Sequence, residues 1–271
     1  MALTFTFKMN PTGVGKQVRQ FLSEKDQIYV HLADNGLLDY KGTIPLYDYQ
    51  KEAVEVMQRT SCGILQSPCG SGKTQMGIAL AAELGRKVLW VTHTQDLLIQ
   101  SKTRAEQYFS SETLGTITAG KAQVGSHITF ATVQTLCKMD LEQFRYTWDV
   151  VIVDECHRLA GSPTQVTMFY KVMNSLAARH KYGLSATVHR SDGMIKSTFA
   201  VLGPVIYKVP DEAVADKTMQ VRILQRNTDI TVSRSCLDTD GTLDYNELLS
   251  YLGGNRERNE MIVKDLVSQK G

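Results

Sequence analysis

Residues 67–74, SPCGSGKT, constrain the architecture of this chain more than any other stretch. An apolar run precedes them at 62–65 and helix-forming residues follow, so the sequence predicts a loop between a buried strand and a helix. Gly70 and Gly72 lack a Cβ, which lets consecutive backbone N–H groups turn toward an anion in front of the helix N-terminus. The pattern predicts a cradle for nucleotide phosphates, with a plain glycine turn between core elements as the alternative.

Two side chains of this loop suit the chemistry of a bound triphosphate. We expect Lys73 to reach the β- and γ-phosphates of ATP as a catalytic residue, and the Thr74 hydroxyl to bind Mg²⁺. Ser67 stands where such loops usually begin with glycine, and this small residue is expected to preserve the cradle. The loop residues expected to bind ATP are Pro68, Cys69, Gly70, Ser71, Gly72, Lys73 and Thr74.

A second predicted strand, residues 150–153, ends in a pair of acids. Adjacent carboxylates after four apolar residues are costly unless the charge is used, and open α/β sheets bind ligands at the carboxyl ends of their strands. We therefore expect Asp154 to hold Mg²⁺ and Glu155 to orient and deprotonate the attacking water. His157 is expected to sense the γ-phosphate. A solvated turn is the alternative for this acidic pair.

The loop, DECH at 154–157 and SAT at 185–187 follow one another at the ends of predicted strands, which predicts an ATP-driven motor domain. These motifs resemble the superfamily-two DExH helicases, in the branch that contains type III restriction translocases and XPB-like helicases. The resemblance covers about residues 44–210, and the motif sequences are most similar to those of helicases of phages and prophages. Further matching phrases are LYDYQKEAV at 46–54, VLWVTHTQDLLIQS at 88–101, TAGK at 118–121, ITFATVQTL at 128–136 and GLSATVHRSDG at 183–193.

The resemblance implies a RecA-like P-loop α/β domain with a mostly parallel sheet and helices on both faces. It implies that Gln50 binds the adenine edge with its donor and its acceptor. It also implies that Thr94, Gly120 and Thr132 contact a nucleic-acid backbone without reading its sequence. For each threonine, a helix N-cap or an ordinary strand hydroxyl is the alternative.

Ser185 and Thr187 are the residues that the resemblance assigns to coupling. Both follow a short apolar strand, so their hydroxyls are expected to bridge to the DECH acids and link the state of ATP to movement. A Ser/Thr turn after a core strand is the alternative.

The domain organisation that we expect has three parts. Residues 1–43 form an accessory segment, 44–210 the first RecA-like domain, and 211–271 a linker with the incomplete helical start of a second domain. A hairpin around Asn35 and Gly36 is predicted in the first part, which is expected either to bind DNA or to cover an edge strand.

The sequence contains no Q/H-x-x-G-R-x-x-R phrase, which supplies arginines from the second domain of such motors. The missing second RecA-like domain is thus an expected partner, and this chain alone is expected to bind ATP, hydrolyse it slowly and unwind nothing. DNA is the expected nucleic acid, because the branch of the family favours it over RNA. Two alternatives remain: a nucleotide-gated binding module without turnover, and a translocase subunit of a restriction system.

Composition agrees with a soluble protein of the cytoplasm. The 271 residues are 42% hydrophobic and 21% charged, with a net charge of +2 that is too small for a purely electrostatic nucleic-acid binder. No apolar run approaches the roughly 20 residues that span a bilayer, and five cysteines without a CxxC indicate no disulfide framework. Residues 236–247 align with a calcium loop, but Cys236 stands at its first ligand position, so an acidic turn that caps the next helix is favoured over calcium.

Overall fold

The structure is a computed structural model. It describes residues 32–40, 42–118, 121–160, 163–187, 195–215, 225–228, 230–238 and 240–268. The chain divides into two compact units, residues 1–220 and 221–271, which are described separately.

The described part of the larger unit contains one sheet of eight strands, in the order β4-β3-β5-β2-β6-β7-β1-β8. Neighbouring strands are parallel except β3 and β4, which are antiparallel. The strand bounds are β1 Cys62–Gln66, β2 Val88–Thr92, β3 Leu114–Thr118, β4 Lys121–Gln123, β5 Ile128–Thr132, β6 Val150–Val153, β7 His180–Ser185 and β8 Val205–Lys208. The predicted mostly parallel sheet is confirmed.

Helices cover both faces of this sheet, as predicted. Alternate residues of β2 show why: Trp90 packs with α1, α2 and α3, whereas Leu89 and Val91 pack with α4, α5 and α6. A parallel strand buried on both faces is apolar throughout, which explains the uninterrupted apolar runs in the sequence. The helix bounds are α1 Asp48–Gln58, α2 Lys73–Leu84, α3 Gln95–Ala105, α4 Val133–Cys137, α5 Pro163–Ser175, α6 Ile195–Leu202 and α7 Asp211–Val214.

The helix that follows the phosphate loop, α2, lies unusually close to the sheet. Gly77 makes this approach possible, because a Cβ at this position would come within 2.6 Å of the Trp90 ring and 2.9 Å of the Leu184 side chain. The start of α2 is therefore held tightly at the end of β1, where the loop needs it.

Residues 32–40 contain no strand, so the hairpin predicted around Asn35 and Gly36 is wrong for this stretch. Asn35 instead donates from its backbone N–H and its side-chain amide to Asp149 Oδ1, at 2.8 and 3.1 Å. The backbone N–H groups of Ala33 and Leu38 donate to carbonyls that precede β7 and β2. The segment thus lies at the amino ends of central strands and does not run along an edge strand.

The smaller unit contains two helices within its described residues, α8 Tyr245–Gly254 and α9 Arg256–Ser268. Asp244 caps α8, since its Oδ1 accepts from the N–H groups of Asn246 and Glu247 at 2.8 and 3.1 Å. This acidic turn caps a helix, as the sequence favoured. Apolar side chains on both helices are more than half exposed: Leu249, Val263 and Leu266. Among the described helices of either unit, none has the length and apolar content to cross a bilayer.

Candidate nucleotide-binding site

Most of the predicted nucleotide residues meet at the carboxyl edge of the sheet, whereas Pro68 and Cys69 line a separate cavity beside Thr187. Strands β6, β7 and β1 are consecutive neighbours, so the segments that follow them lie side by side. A cavity of about 500 Å³ opens between the loop after β1 and the acids after β6. Among its lining residues are Gly70, Gly72, Lys73, Thr74, Asp154 and Glu155.

The loop adopts a conformation that only its glycines permit easily. Gly70 and Gly72 have φ of 78° and 81°, and α2 starts at the next residue. Ser67 has a role that glycine could not fill, because its hydroxyl donates to that of Ser71. The Ser71 hydroxyl in turn donates to Pro68 O at 2.6 Å. These hydrogen bonds lie within the loop, and Gly70 and Gly72 line the cavity.

The Lys73 side chain is almost fully buried and lies between the loop and the acids. Its Nζ is 3.7 Å from Glu155 Oε1, and donates weakly to Ser67 O and Pro68 O at 3.4 and 3.5 Å. A phosphate oxygen is a stronger partner for an ammonium group than either long contact. The lysine is therefore positioned to exchange these partners for a bound anion.

Asp154 is a buried carboxylate with little compensation. Burial and the neighbouring charge of Glu155 raise the pKa of Asp154 to about 6. Its Oδ1 accepts from Glu155 N at 2.9 Å and its Oδ2 from the Ser101 hydroxyl at 3.3 Å. A cation next to this carboxylate would favour its charged form.

Glu155 is held in a backbone conformation that is rare for a side chain of its size, with φ of 46°. Its Oε2 is buried and makes no hydrogen bond, although His157 Nδ1 lies 3.3 Å away. A buried carboxylate oxygen without a hydrogen bond and a destabilised neighbouring acid, in the cavity that Thr74 also lines, fit a divalent cation bound with its waters. Thr74 and Asp154 are the residues that would hold Mg²⁺.

The predicted coupling residues contact the DECH segment through its histidine. Ser185 is fully buried, and its Oγ lies 2.8 Å from His157 Nδ1 and donates to Thr187 O. Because the single hydroxyl hydrogen is used toward Thr187 O, His157 Nδ1 must be the donor to Ser185. Ser185 thus reaches His157 and not the acids, and the exposed Thr187 takes part through its backbone. A backbone bond from Ser67 N to Ser185 O, 2.9 Å long, joins this group to the phosphate loop.

Gln50 is buried beside the loop, but both ends of its amide already have partners. Its Nε2 donates to Ser71 O at 2.9 Å and its Oε1 accepts from Tyr47 N at 2.9 Å. The Tyr49 hydroxyl donates to the same Ser71 carbonyl at 3.0 Å. One N–H and one lone pair of the amide remain for an adenine edge. A second cavity, of about 450 Å³, opens here and is lined by Tyr47, Tyr49, Gln50 and Tyr108 among others.

The residues predicted to bind nucleic acid are only partly brought together. Thr92 and Thr132 pair across β2 and β5, so Thr94 and Thr132 follow neighbouring strand ends. Both threonines are helix N-caps, with Oγ1 accepting from the N–H of Leu97 and of Thr135 at 3.3 Å. Thr94 is exposed whereas Thr132 is buried, so only the first presents its side chain to solvent. Gly120 lies outside the described residues.

Three residues at the site were missed by the sequence analysis: Ser101, Gln75 and Arg104. Ser101 had a signal, because it is a polar residue on the stripe that buries Leu98 and Ala105 of α3. A buried polar side chain on an apolar stripe requires a partner, and here that partner is Asp154. Gln75 and Arg104 line the cavities, and no pattern in the sequence marks them.

The parallel sheet and the phosphate loop define a P-loop domain of RecA-like fold. Residues 43–190 match the family described as "Type III restriction enzyme, res subunit", and the chain belongs to this family. The resemblance inferred from the motifs, to DExH helicases of the type III and XPB branch, is confirmed. The phage or prophage origin stays a prediction.

Curated relatives agree with this assignment, and a solved structure shares the fold. The DNA 3'-5' translocase XPB2 of Sulfurisphaera tokodaii is 29% identical over 207 residues, which cover 74% of this chain and 45% of that protein. The DNA 3'-5' helicase XPB of Mycobacterium tuberculosis is 26% identical over 61% of this chain and 30% of its own length. This chain therefore spans less than half the length of either relative. The UvsW helicase of bacteriophage T4 shares the fold, with a TM-score of 0.52 at 21% identity over 71% of this chain and 67% of that chain.

Proposed function

We propose that this chain is the ATP-binding motor domain of a DNA helicase or translocase. The observation that supports this most strongly is the meeting of Lys73, Asp154 and Glu155 around one cavity at the carboxyl edge of the sheet. The lysine supplies a cation for phosphate oxygens, one acid a ligand for a metal, and the other acid a base. That combination serves phosphoryl transfer to water.

In the proposed reaction, Lys73 leaves Glu155 and binds the β- and γ-phosphates of ATP. Glu155 is then free to orient a water and accept its proton. Thr74 and Asp154 would hold Mg²⁺, which would neutralise charge on the phosphates. The N–H groups around Gly70 and Gly72 bind phosphate oxygens in front of α2.

The contact between His157 and Ser185 is the proposed route from ATP to movement. His157 Nδ1 lies near both Glu155 Oε2 and Ser185 Oγ. A change in the charge or position of Glu155 after hydrolysis therefore alters the hydrogen bond to Ser185. Ser185 and Thr187 then pass that change to the segment that follows β7.

DNA is the proposed track. The relatives named above are a DNA translocase and a DNA helicase, and this supports DNA over RNA. Thr94 and Gly120 are the proposed contacts to its backbone, and such contacts carry no sequence preference. The buried Thr132 side chain serves instead as the N-cap of α4. A second RecA-like domain is the proposed partner for full turnover. The five cysteines are all free thiols, which supports a cytoplasmic setting.

Calorimetric titration with Mg-ATP tests the nucleotide site. We expect wild-type protein and Glu155→Gln to bind, and Lys73→Ala to lose binding. Lys51→Ala is the matched control, because Lys51 is an exposed lysine on α1 that pairs with Asp48, and it should bind as wild type does. Equal binding by Lys73→Ala and wild type would refute the proposed site.

DNA-dependent ATP turnover separates a motor from a nucleotide-gated binding module. A motor shows phosphate release that DNA stimulates and that Glu155→Gln abolishes. ATP-dependent DNA retention with no phosphate release in the presence of the second domain would favour the binding module.

A further inference from the structure

The side chain of Gln75 is buried at the nucleotide site with one atom unsatisfied. The residue is only 6% exposed, and its Nε2 donates to Pro45 O at 3.3 Å and to the Tyr108 hydroxyl at 2.8 Å. Its Oε1 is buried and has no hydrogen-bond partner. The amide cannot turn around without loss, because the Pro45 carbonyl only accepts. Oε1 is therefore an acceptor that lacks a donor.

Gln75 stands on the boundary between the two cavities of the site. The first cavity contains Lys73 and Asp154, and the second contains Gln50. Four residues line both of them: Gly70, Gly72, Gln75 and Arg104. If the proposed function holds, the triphosphate occupies the first cavity and the base the second. The sugar that joins them then lies against this shared boundary.

The chemistry of the nucleotide decides which group can satisfy Gln75. Triphosphate oxygens at neutral pH accept hydrogen bonds and cannot donate to Oε1. The amino group of adenine does donate, but it belongs to the base edge that faces Gln50. The ribose hydroxyls are donors and lie between the two. Arg104 is exposed, and among the described hydrogen bonds its guanidinium donates only from Nη1 to Gln107 Oε1 at 3.0 Å. Its other N–H groups can donate to phosphate oxygens, which Gln75 Oε1 cannot bind.

We propose that Gln75 Oε1 accepts a hydrogen bond from a ribose hydroxyl of the bound nucleotide. Gln75 is then a residue that determines specificity for the sugar, and the site prefers ribonucleotides to nucleotides without sugar hydroxyls.

Calorimetry with Mg-ATP and Mg-2′,3′-dideoxy-ATP tests the proposal on wild-type protein. We expect ATP to bind roughly three- to tenfold more tightly, which is the effect of one net hydrogen bond. In Gln75→Met, a near-isosteric variant without the acceptor, the ratio of the two dissociation constants should fall to about one. Gln143→Met is the matched control, since it makes the same substitution at an exposed glutamine that lines neither cavity, and it should keep the wild-type ratio.

Each outcome is decisive. Equal affinity of wild type for the two nucleotides overturns the proposal. This test uses wild-type protein only and therefore does not depend on whether a variant folds. An unchanged ratio in Gln75→Met also overturns it. If Gln75→Met instead loses a preference for ATP over purine-riboside triphosphate, the base is the donor and the sugar assignment is wrong. Failure of wild type to bind either nucleotide overturns the proposed function together with this inference.

Discussion

Replacing Asp154 with asparagine should stabilise the protein in the absence of metal and nucleotide. Asp154 is 4% exposed, and burial next to Glu155 raises its pKa from 3.8 to about 6. A carboxyl group whose pKa is higher in the folded state contributes stability below its unfolded pKa and loses it as the pH rises through its folded pKa. Asparagine is isosteric and uncharged, and its Oδ1 can still accept from Glu155 N.

The magnitude follows from the two pKa values. A shift of about two units corresponds to about 3 kcal/mol of unfolding free energy at pH 8, where the wild-type carboxyl is charged in both states. At pH 4.5 the folded carboxyl is mostly protonated, and the same pKa values give a destabilisation of only about 1 kcal/mol in unfolding free energy. For a unit of this size, 3 kcal/mol corresponds to roughly 6–12 °C in melting temperature.

Urea unfolding followed by the fluorescence of the two buried tryptophans measures this difference. The gain of Asp154→Asn over wild type should be about three times larger at pH 8 than at pH 4.5. Asp96→Asn, which replaces an exposed acid in the first turn of α3, should change stability by less than about 0.5 kcal/mol at either pH. A gain of equal size at both pH values, or a loss at pH 8, would refute the electrostatic explanation.

Three further outcomes can be measured directly. Iodoacetamide should modify Cys69 well before Cys156, because Cys69 is exposed whereas burial and nearby acids raise the pKa of the fully buried Cys156 thiol; mass spectrometry that finds Cys156 labelled first would contradict this. Gly77→Ala should destabilise by about 1–2 kcal/mol in thermal melts despite its better helix propensity, whereas Gly253→Ala, with open space around it, should not destabilise. Asn35→Ala should lower the free energy of unfolding in urea by about 1–2 kcal/mol, since the buried Asp149 carboxylate loses a donor. An unchanged free energy would show that this hydrogen bond does not stabilise the fold.

The sheet and the phosphate loop were predictable because their signals are local. A strand buried on both faces must be apolar throughout, and the GSGKT turn requires glycine at positive φ, so both leave marks in consecutive residues. The acids after β6 were predictable for the same reason. Their assignment as metal ligand and base remains a proposal.

The contacts that could not be predicted depend on how separate elements pack. The helix that carries Gln75 was predictable, but the orientation of its amide is not, because Nε2 is held by Pro45 and Tyr108 from other elements and Oε1 is left without a donor. The error at Asn35 has a similar origin. An Asn-Gly pair between alternating residues is typical of a hairpin, yet here the buried carboxylate of Asp149 binds the asparagine more favourably.

At Glu155 the proposed catalytic role and the stability of the fold favour different residues. A φ of 46° costs a bulky residue free energy that glycine would not lose. Selection for thermal stability alone would therefore favour glycine at residue 155, and the carboxylate would be lost. A thermostable variant of this chain should therefore keep Glu155 and take its stabilising substitutions from other positions.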